Sequence, residues 1–338
     1  MYTITARNVN EALQIGVQAV ASVGINQKSR NGNVISFPTP VSTQYNNPSE
    51  KVLFSEERDA NPFFHFFESL WMLAGRDDLA FVQQFNQRMG EFSDDGVVLN
   101  GSAYGRRWRA WFNRSTHSNG IDQLSAIIEL IKENPENRRL VLTMWDAGDD
   151  LLNQTSKDLP CNLQVIFRPI GKQLNMTVFN RSNDMIWGAY GANAVQFATL
   201  LEYVAGMTGL EVGTYHQVAN NFHVYSDNPV WEKCSVLRPG AACPYELGQV
   251  TPQRLIDDAE TFDQELGYFL ENPDTVDIRF LNTILEDTGR GLFLAWKLYK
   301  RDRLQDAIDC LKLHCKATDW QRAGIEWLQR REAKRASK

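Results

Sequence analysis

The 338-residue chain is 43% hydrophobic and 22% charged, the balance of a folded protein with enough length for one large core or two ordinary ones. Its formal net charge of -6 excludes a general electrostatic coat for nucleic acid, so any anion must be met by local arginines. No stretch nears the roughly 20 apolar residues that span a bilayer, the N-terminus has no signal-peptide pattern, and five unevenly spaced cysteines form no paired zinc signature. The expectation is a cytoplasmic protein with reduced thiols, no membrane segment and no metal.

Residues 9–22 carry apolar side chains at helical spacing, and residues 27–55, polar and rich in Gly, Pro and Asn, predict loops and short strands that include Arg30. Residues 62–74, P-F-F-H-F-F-E-S-L-W-M-L-A, start on Pro62 and stop before Gly75, the punctuation of a helix. That helix is apolar nearly all round and so belongs in the core. Glu68 is its exception. Either it pairs with an arginine from 106–109, or it stays unpaired with the raised pKa that suits general acid–base work. Residues 77–92 predict another helix, and a turn-rich loop at 93–103 leads to Y-G-R-R-W-R-A-W at 104–111. An amphipathic helix at 121–133 precedes Arg138, Arg139 and the strand L-V-L-T-M-W. Two strands at 163–168 and 174–180 flank a turn at 169–172, with Arg181 closing the second. A long apolar helix at 192–207 and a strand at 212–225 follow. From Pro252 the chain reads as mostly helical, ending in a frayed, solvated tail, R-R-E-A-K-R-A-S-K. Helices mixed with strands outside regular βαβ units predict an α+β fold.

The chemistry gathers around D-L-P-C-N-L at 158–163. Pro160 marks a strand start. Cys161 behind it is either a small buried side chain or a nucleophile that needs nearby cations to form thiolate. Arg30, Arg138, Arg139 and Arg181 lie in polar turns, and guanidinium forks match phosphate oxygens. Ser182 adds a hydroxyl. Taken singly, each arginine is also an ordinary solvated charge. His223 and Tyr225 share one strand face, which suits a sugar hydroxyl or a mutually satisfied pair. Asn193 interrupts an apolar helix start, as a cap or as a reader of a base edge.

The segments L-P-C-N-L-Q-V-I-F, N-R-S-N-D-M-I-W-G, N-A-V-Q-F-A-T-L-L-E-Y-V-A-G-M-T-G-L-E-V-G and N-F-H-V-Y follow S-R-N-G, F-F-E-S-L-W-M-L-A-G, S-A-Y-G-R-R-W-R-A-W and N-R-R-L-V in the chain. In that order they resemble the thymidylate synthase family over about residues 28–228. The resemblance implies a bent mixed β-sheet packed with helices and a homodimer formed through the sheet. Residues 1–230 would be the catalytic core. Residues 231–338, which do not follow the family pattern, would be a divergent, mostly helical part of the same domain or an extension. It further implies that Cys161 adds to C6 of a deoxypyrimidine monophosphate, with Glu68 and Tyr104 assisting proton transfer. Arg30, Arg181 and Ser182 would bind the phosphate, joined by Arg138 and Arg139 donated across subunits. Asn193 would read the base, His223 and Tyr225 the ribose, and Asp184 and Trp71 would face the folate, 5,10-methylenetetrahydrofolate.

The C5 methylene formed in such chemistry is either reduced to methyl or hydrated to hydroxymethyl. Methyl-forming members shield it with tryptophans and an apolar C-terminal tail. Here residues 82–98 contain no tryptophan, and the terminal A-K-R-A-S-K is polar. Asn162 stands where the family has histidine, beside the reacting carbon, and is counted with the catalytic residues. Asn183 replaces cysteine and Asn221 an aspartate. The expectation is therefore hydroxymethylation. Asn193, which can donate to O4 and accept from N3–H, points to dUMP, and Ser182 with Arg139 keeps the deoxynucleotide pattern. The competing readings are a thymidylate synthase, a dCMP 5-hydroxymethylase and an inactive nucleotide-binding relative.

Overall fold

A computed structural model describes residues 1–112, 120–153, 155–275 and 277–336. Strand β1 (Tyr2–Ala6) leads into helix α1 (Val9–Val23), whose cap Asn8 accepts from the backbone N–H of Asn10 and Glu11. The hairpin β2 (Ile25–Ser29) and β3 (Gly32–Ser36) precedes β4 (Val41–Tyr45). Helix α2 (Pro62–Leu73) is buried at every position. Asn61 caps it, Pro62 fills its first turn, and Gly75 at φ +70 ends it, as its sequence predicts.

The single helix expected over 77–92 is instead α3 (Leu79–Gln83) and a separate 3₁₀ turn (Gln87–Glu91). Asn86 breaks the run: its backbone is extended, and its side chain takes the N–H of Arg88. Helices α4 (Tyr104–Arg109) and α5 (Gln123–Glu133) lead to β5 (Val141–Thr143), then β6 (Asn162–Ile170) and β7 (Gln173–Asp184). β7 continues past Arg181, so Ser182 and Asp184 are strand residues too. A wound segment at 185–192, broken at Tyr190 and Gly191, feeds α6 (Asn193–Thr208), and β8 (Glu211–Tyr225) follows.

The strands form one mixed sheet in the order β1-β4-β8-β7-β6-β5, with β3 also on β8. β1–β4 and β7–β8 are parallel and the other pairs antiparallel. The sheet is bent by irregularities between Asn162 and Gln164 and between Leu174 and Met176. The first lies beside Cys161, where an extra residue re-aims the start of β6. On β7, Leu174, Met176 and Val178 are buried, while Asn175, Thr177 and Phe179 on the other face are only half-buried.

Short helix α7 (Pro229–Cys234) and a long irregular stretch separate β8 from α8 (Phe262–Glu271). The helix expected from Pro252 therefore starts ten residues late. Side chains take the backbone donors a helix would use: Asn282 accepts from the N–H of Asp257 and Asp258, and Asp258 accepts from Thr261. Then come α9 (Arg290–Lys300), α10 (Leu304–His314) and α11 (Thr318–Ala336). The tail expected to fray is still helical, and Arg330, Arg331 and Lys334 all bind Asp59. Ser337 and Lys338 lie outside the described residues. No described helix is long and apolar enough to cross a membrane.

Candidate active site

One cavity of about 610 Å³ opens where β7, β8, α2, α4, α6 and the β2–β3 hairpin meet. Ten of the fourteen residues singled out from sequence line it: Arg30, Glu68, Tyr104, Cys161, Arg181, Ser182, Asp184, Asn193, His223 and Tyr225. These come from seven separate segments, which only the fold brings together.

Cys161 stands at the mouth of β6, half-buried. Arg181 on the neighbouring strand fastens its approach, donating from Nε to the Pro160 carbonyl (2.9 Å) and from Nη2 to Leu159 (3.2 Å). Burial pushes the thiol pKa up. Arg181 is the strongest opposing influence, Asp158 and Asp184 add to the rise, and Arg30 weakly counters it. With five cations on the cavity wall (Lys28, Arg30, Arg88, Lys157 and Arg181) this is a place where a bound dianion would be held.

Tyr104 reaches the same spot from the first turn of α4. Its hydroxyl oxygen accepts from the backbone N–H of Cys161 (3.3 Å) and Asn162 (3.5 Å), leaving its proton free to donate. Burial raises its pKa far above the usual value, so the phenol stays neutral. Gly105 makes this placement possible: a Cβ there would overlap the Met72 carbonyl at the end of α2. Asp158 braces the adjoining loop, accepting from the N–H of Gly101 (2.8 Å) and Ser102 (2.9 Å).

Glu68 is 3% exposed and has no arginine partner among the described residues. The pairing with an arginine from 106–109 is not made, because each has another carboxylate: Arg106 meets Asp77, Arg107 Asp150, and Arg109 Asp122 and Asp263. Burial raises the Glu68 pKa to about 8, and the Gln196 amide facing it pulls weakly the other way. A carboxyl poised near neutrality is what a proton-transfer group needs.

Asn193 opens α6 as its first helical residue rather than as its cap. Its Nδ2 reaches toward Asn162 (3.5 Å) and Asn183 (3.4 Å). His223 pairs in register with Asp184 across β7–β8 and packs edge-on to Tyr225. Its Nδ1 meets Asn221 at 3.2 Å. Burial lowers the His223 pKa and raises that of Asp184, whose carboxylate also accepts from the Trp187 N–H (2.6 Å).

Four expected residues do not reach the cavity. Asn162 is fully buried behind it, accepting from Asn180 and Asn193, so it supports the base-side asparagines instead of touching the reacting carbon. Trp71 is fully buried, its indole N–H spent on Asp78 (3.1 Å), and it offers no surface to a folate. Arg138 and Arg139 are exposed before β5, away from this chain's own cavity. Sequence reasoning missed Asp158, Lys157 and Gln196. Asp158 and Lys157 stand just before L-P-C. Gln196 follows Asn193 by three residues, one helical turn on the same face, and that spacing was the signal available. No group of three or more metal-ligating side chains occurs among the described residues.

The family model described as thymidylate synthase matches residues 14–266, a wider span than the motifs alone cover. A deoxyuridylate hydroxymethyltransferase of Pseudomonas phage M6 is 46% identical over 347 residues, covering 98% of this chain and 95% of that protein. A protein of the same name from Bacillus phage SP01 is 45% identical over 201 residues, 58% of this chain and 52% of its own length.

Proposed function

The chain belongs to the thymidylate synthase family, and on that premise we propose that it hydroxymethylates dUMP at C5, with 5,10-methylenetetrahydrofolate as donor and Cys161 as nucleophile. The observation that carries this reading is the convergence of Cys161, Tyr104, Glu68, Asn193 and Arg181 on one cavity. Arg30, Arg181 and Ser182 bind the phosphate, His223 and Tyr225 the ribose, and Asn193 the uracil edge. The Arg181 guanidinium favours thiolate at Cys161, against the burial that raises its pKa.

The cavity also fits the donor. Its volume lies within the range for small-molecule sites, and its wall includes Trp187, Phe92 and Met89, apolar surfaces suited to a flat ring, beside the Asp184 carboxylate, which can accept from ring N–H groups. Bound there, the donor supplies a one-carbon unit at the oxidation level of formaldehyde. Cys161 sulfur adds to C6, and the electron pair of the C5–C6 bond becomes nucleophilic at C5. The neutral Tyr104 hydroxyl directs a donor at this region, and Glu68 handles protons in the buried half of the site. Once C5 carries an exocyclic methylene, water adds to that carbon and the sulfur leaves C6, restoring the ring double bond. Asn162, Asn180 and Asn183 form the polar wall behind this chemistry, where a tryptophan shield would exclude water.

A homodimer completes the reading. Arg138 and Arg139 are exposed outside the cavity, and the half-buried sheet face of Asn175, Thr177 and Phe179 on β7 with Thr214, His216 and Val218 on β8 offers a surface for a second copy. Residues 231–338 serve the same catalytic unit as a helical support. A reducing cytoplasm suits a reaction that needs a free thiol.

The test is direct: the protein is incubated with dUMP or dCMP and 5,10-methylenetetrahydrofolate, and the nucleotide product is weighed. Gain of a hydroxymethyl group on dUMP is expected. A methyl group accompanied by dihydrofolate, or modification of dCMP alone, would sink the reading. Absence of both turnover and a covalent adduct with 5-fluoro-dUMP would leave a nucleotide-binding relative.

A further inference from the structure

Glu68 on α2 and Gln196 on α6 both line the cavity, both are 3% exposed, and each keeps one oxygen without a partner among the described residues: Oε2 of Glu68 and Oε1 of Gln196. A buried acceptor left bare is costly, and with Glu68 ionised, the form that can take a proton, the two acceptors cannot satisfy each other. What satisfies both is a donor with two hydrogens. A water molecule that gives one O–H to each oxygen turns its lone pairs away from both, which is the pose of a nucleophile.

We propose that Gln196 orients the water that becomes the hydroxyl group of the product, beside Glu68, the proton-transfer carboxyl of the reading above, which accepts its proton. This rests on the hydroxymethylation reading above and deepens it. The oxygen lone pair forms a bond to the exocyclic methylene carbon, and the methylene π electrons move through C5 onto O4. The displaced proton passes to the Glu68 carboxylate. The enolate then collapses, C5=C6 re-forms, the C6–S bond breaks and Cys161 departs as thiolate. Gln196 acts only through the water it orients and takes no proton itself. It is a positioning residue, and its contribution belongs to hydration alone, not to the earlier loss of the C5 proton.

Hydration is reversible in principle, so it can be read without any folate. Full-length protein is incubated with 5-hydroxymethyl-dUMP in ¹⁸O-water, and exchange of the hydroxyl oxygen is followed by mass. Loss of tritium from [5-³H]dUMP in the complete reaction measures the earlier steps. Gln196→Met keeps the length of the side chain but removes the acceptor. Oxygen exchange is expected to slow by about tenfold or more, the worth of one well-placed hydrogen bond to a charged or developing charge, while tritium release changes several-fold less. In the complete reaction with an added thiol, part of the methylene should then be captured as a thioether at the expense of hydroxymethyl product. Gln196→Asn, which draws the amide back by one methylene, provides the same readouts should the Met variant misfold, and should fall between the two. Oxygen exchange that stays at the wild-type rate, or that falls only in step with tritium release, overturns the role of Gln196. A wild-type protein that neither exchanges oxygen nor makes hydroxymethyl product overturns the underlying reading and this one with it.

Discussion

Replacing Glu68 by glutamine should abolish turnover and yet stabilise the protein, by an amount that grows with pH. The carboxyl has a folded-state pKa of about 8 against an ordinary 4.5, raised by burial. A raised pKa means that the folded state holds the proton more tightly than the unfolded chain. Stability from this group is therefore fully present below pH 4.5 and is lost as pH rises to 8. At about 1.36 kcal/mol per pKa unit, the loss is about 3 kcal/mol at pH 7 and approaches about 5 kcal/mol above pH 8, as orders of magnitude. The amide of the Glu68→Gln variant would be neutral throughout and escape it. With an unfolding entropy of about 2.1 cal/mol/K per residue, a gain of about 3 kcal/mol raises Tm by about 4 °C in a chain of this length. At pH 5 the gain shrinks to about 1 °C by the same conversion. The assay is a melting series of wild type and Glu68→Gln from pH 5 to 9 without ligand. A Tm difference independent of pH would refute the reasoning, because it would mean that Glu68 titrates near its ordinary value. A variant less stable at every pH would do the same.

Removing the Arg181 guanidinium takes away the largest influence that lowers the Cys161 pKa, so Arg181→Lys, which keeps the charge, should preserve the pH profile of alkylation by iodoacetamide, and Arg181→Ala should move it to higher pH. Equal profiles for the two variants would deny the electrostatic role. Cys161→Ala should reduce turnover to background while 5-hydroxymethyl-dUMP still binds, checked by calorimetry. If Arg138 and Arg139 serve the partner's site, the double variant Arg138→Ala/Arg139→Ala and Cys161→Ala, each inactive alone, should recover about a quarter of wild-type activity per site when mixed and reassociated, the statistical share of one intact site in the mixed dimer. No recovery would exclude sharing across subunits. Gly105→Ala should cost at least about 2 kcal/mol of stability in a denaturant titration, because its Cβ would collide with the Met72 carbonyl. A neutral substitution would mean that α4 shifts freely.

Where local chemistry decides, the chain was readable. Asn61, Pro62 and Gly75 delimit α2, and the alternation through 163–180 marks β6 and most of β7, which runs on to Asp184. Where distant side chains decide, it was not. Whether Glu68 is paired depends on Asp77, Asp150, Asp122 and Asp263 claiming the nearby arginines, and no local pattern carries that. The late start of α8 depends on Asn282, about 25 residues downstream, binding the loop's amides. The parallel pairing of β7 with β8 depends on α6 crossing between them, so the contact of Asp184 with His223 is a property of register rather than of spacing. Motif resemblance counted Asn162 with the catalytic residues and Trp71 with those facing the folate, but burial puts both behind the cavity wall.

The C-terminal helices, whose part in the reaction the motifs left open, bear on the same carboxyl. Phe63 packs against Trp296 and Trp327, Phe66 against Trp320, and Phe67 against Phe269 and Phe293. All three phenylalanines are on α2, and all five partners come from residues beyond 260. The N-terminal approach to α2 is held from the same direction, since Arg330, Arg331 and Lys334 of α11 converge on Asp59, two residues before the cap Asn61. Asp59 adopts a positive φ of 47°, a conformation that needs such support in a non-glycine residue. The C-terminal aromatic wall covers one side of α2, and α6, α4 and α3 pack on the rest, so every residue of this helix is buried and Glu68 alone of them lines the cavity. Burial is the cause of its raised pKa. Residues beyond 260 thus hold the helix that carries the carboxyl and help to bury it, while none of those described lines the cavity wall.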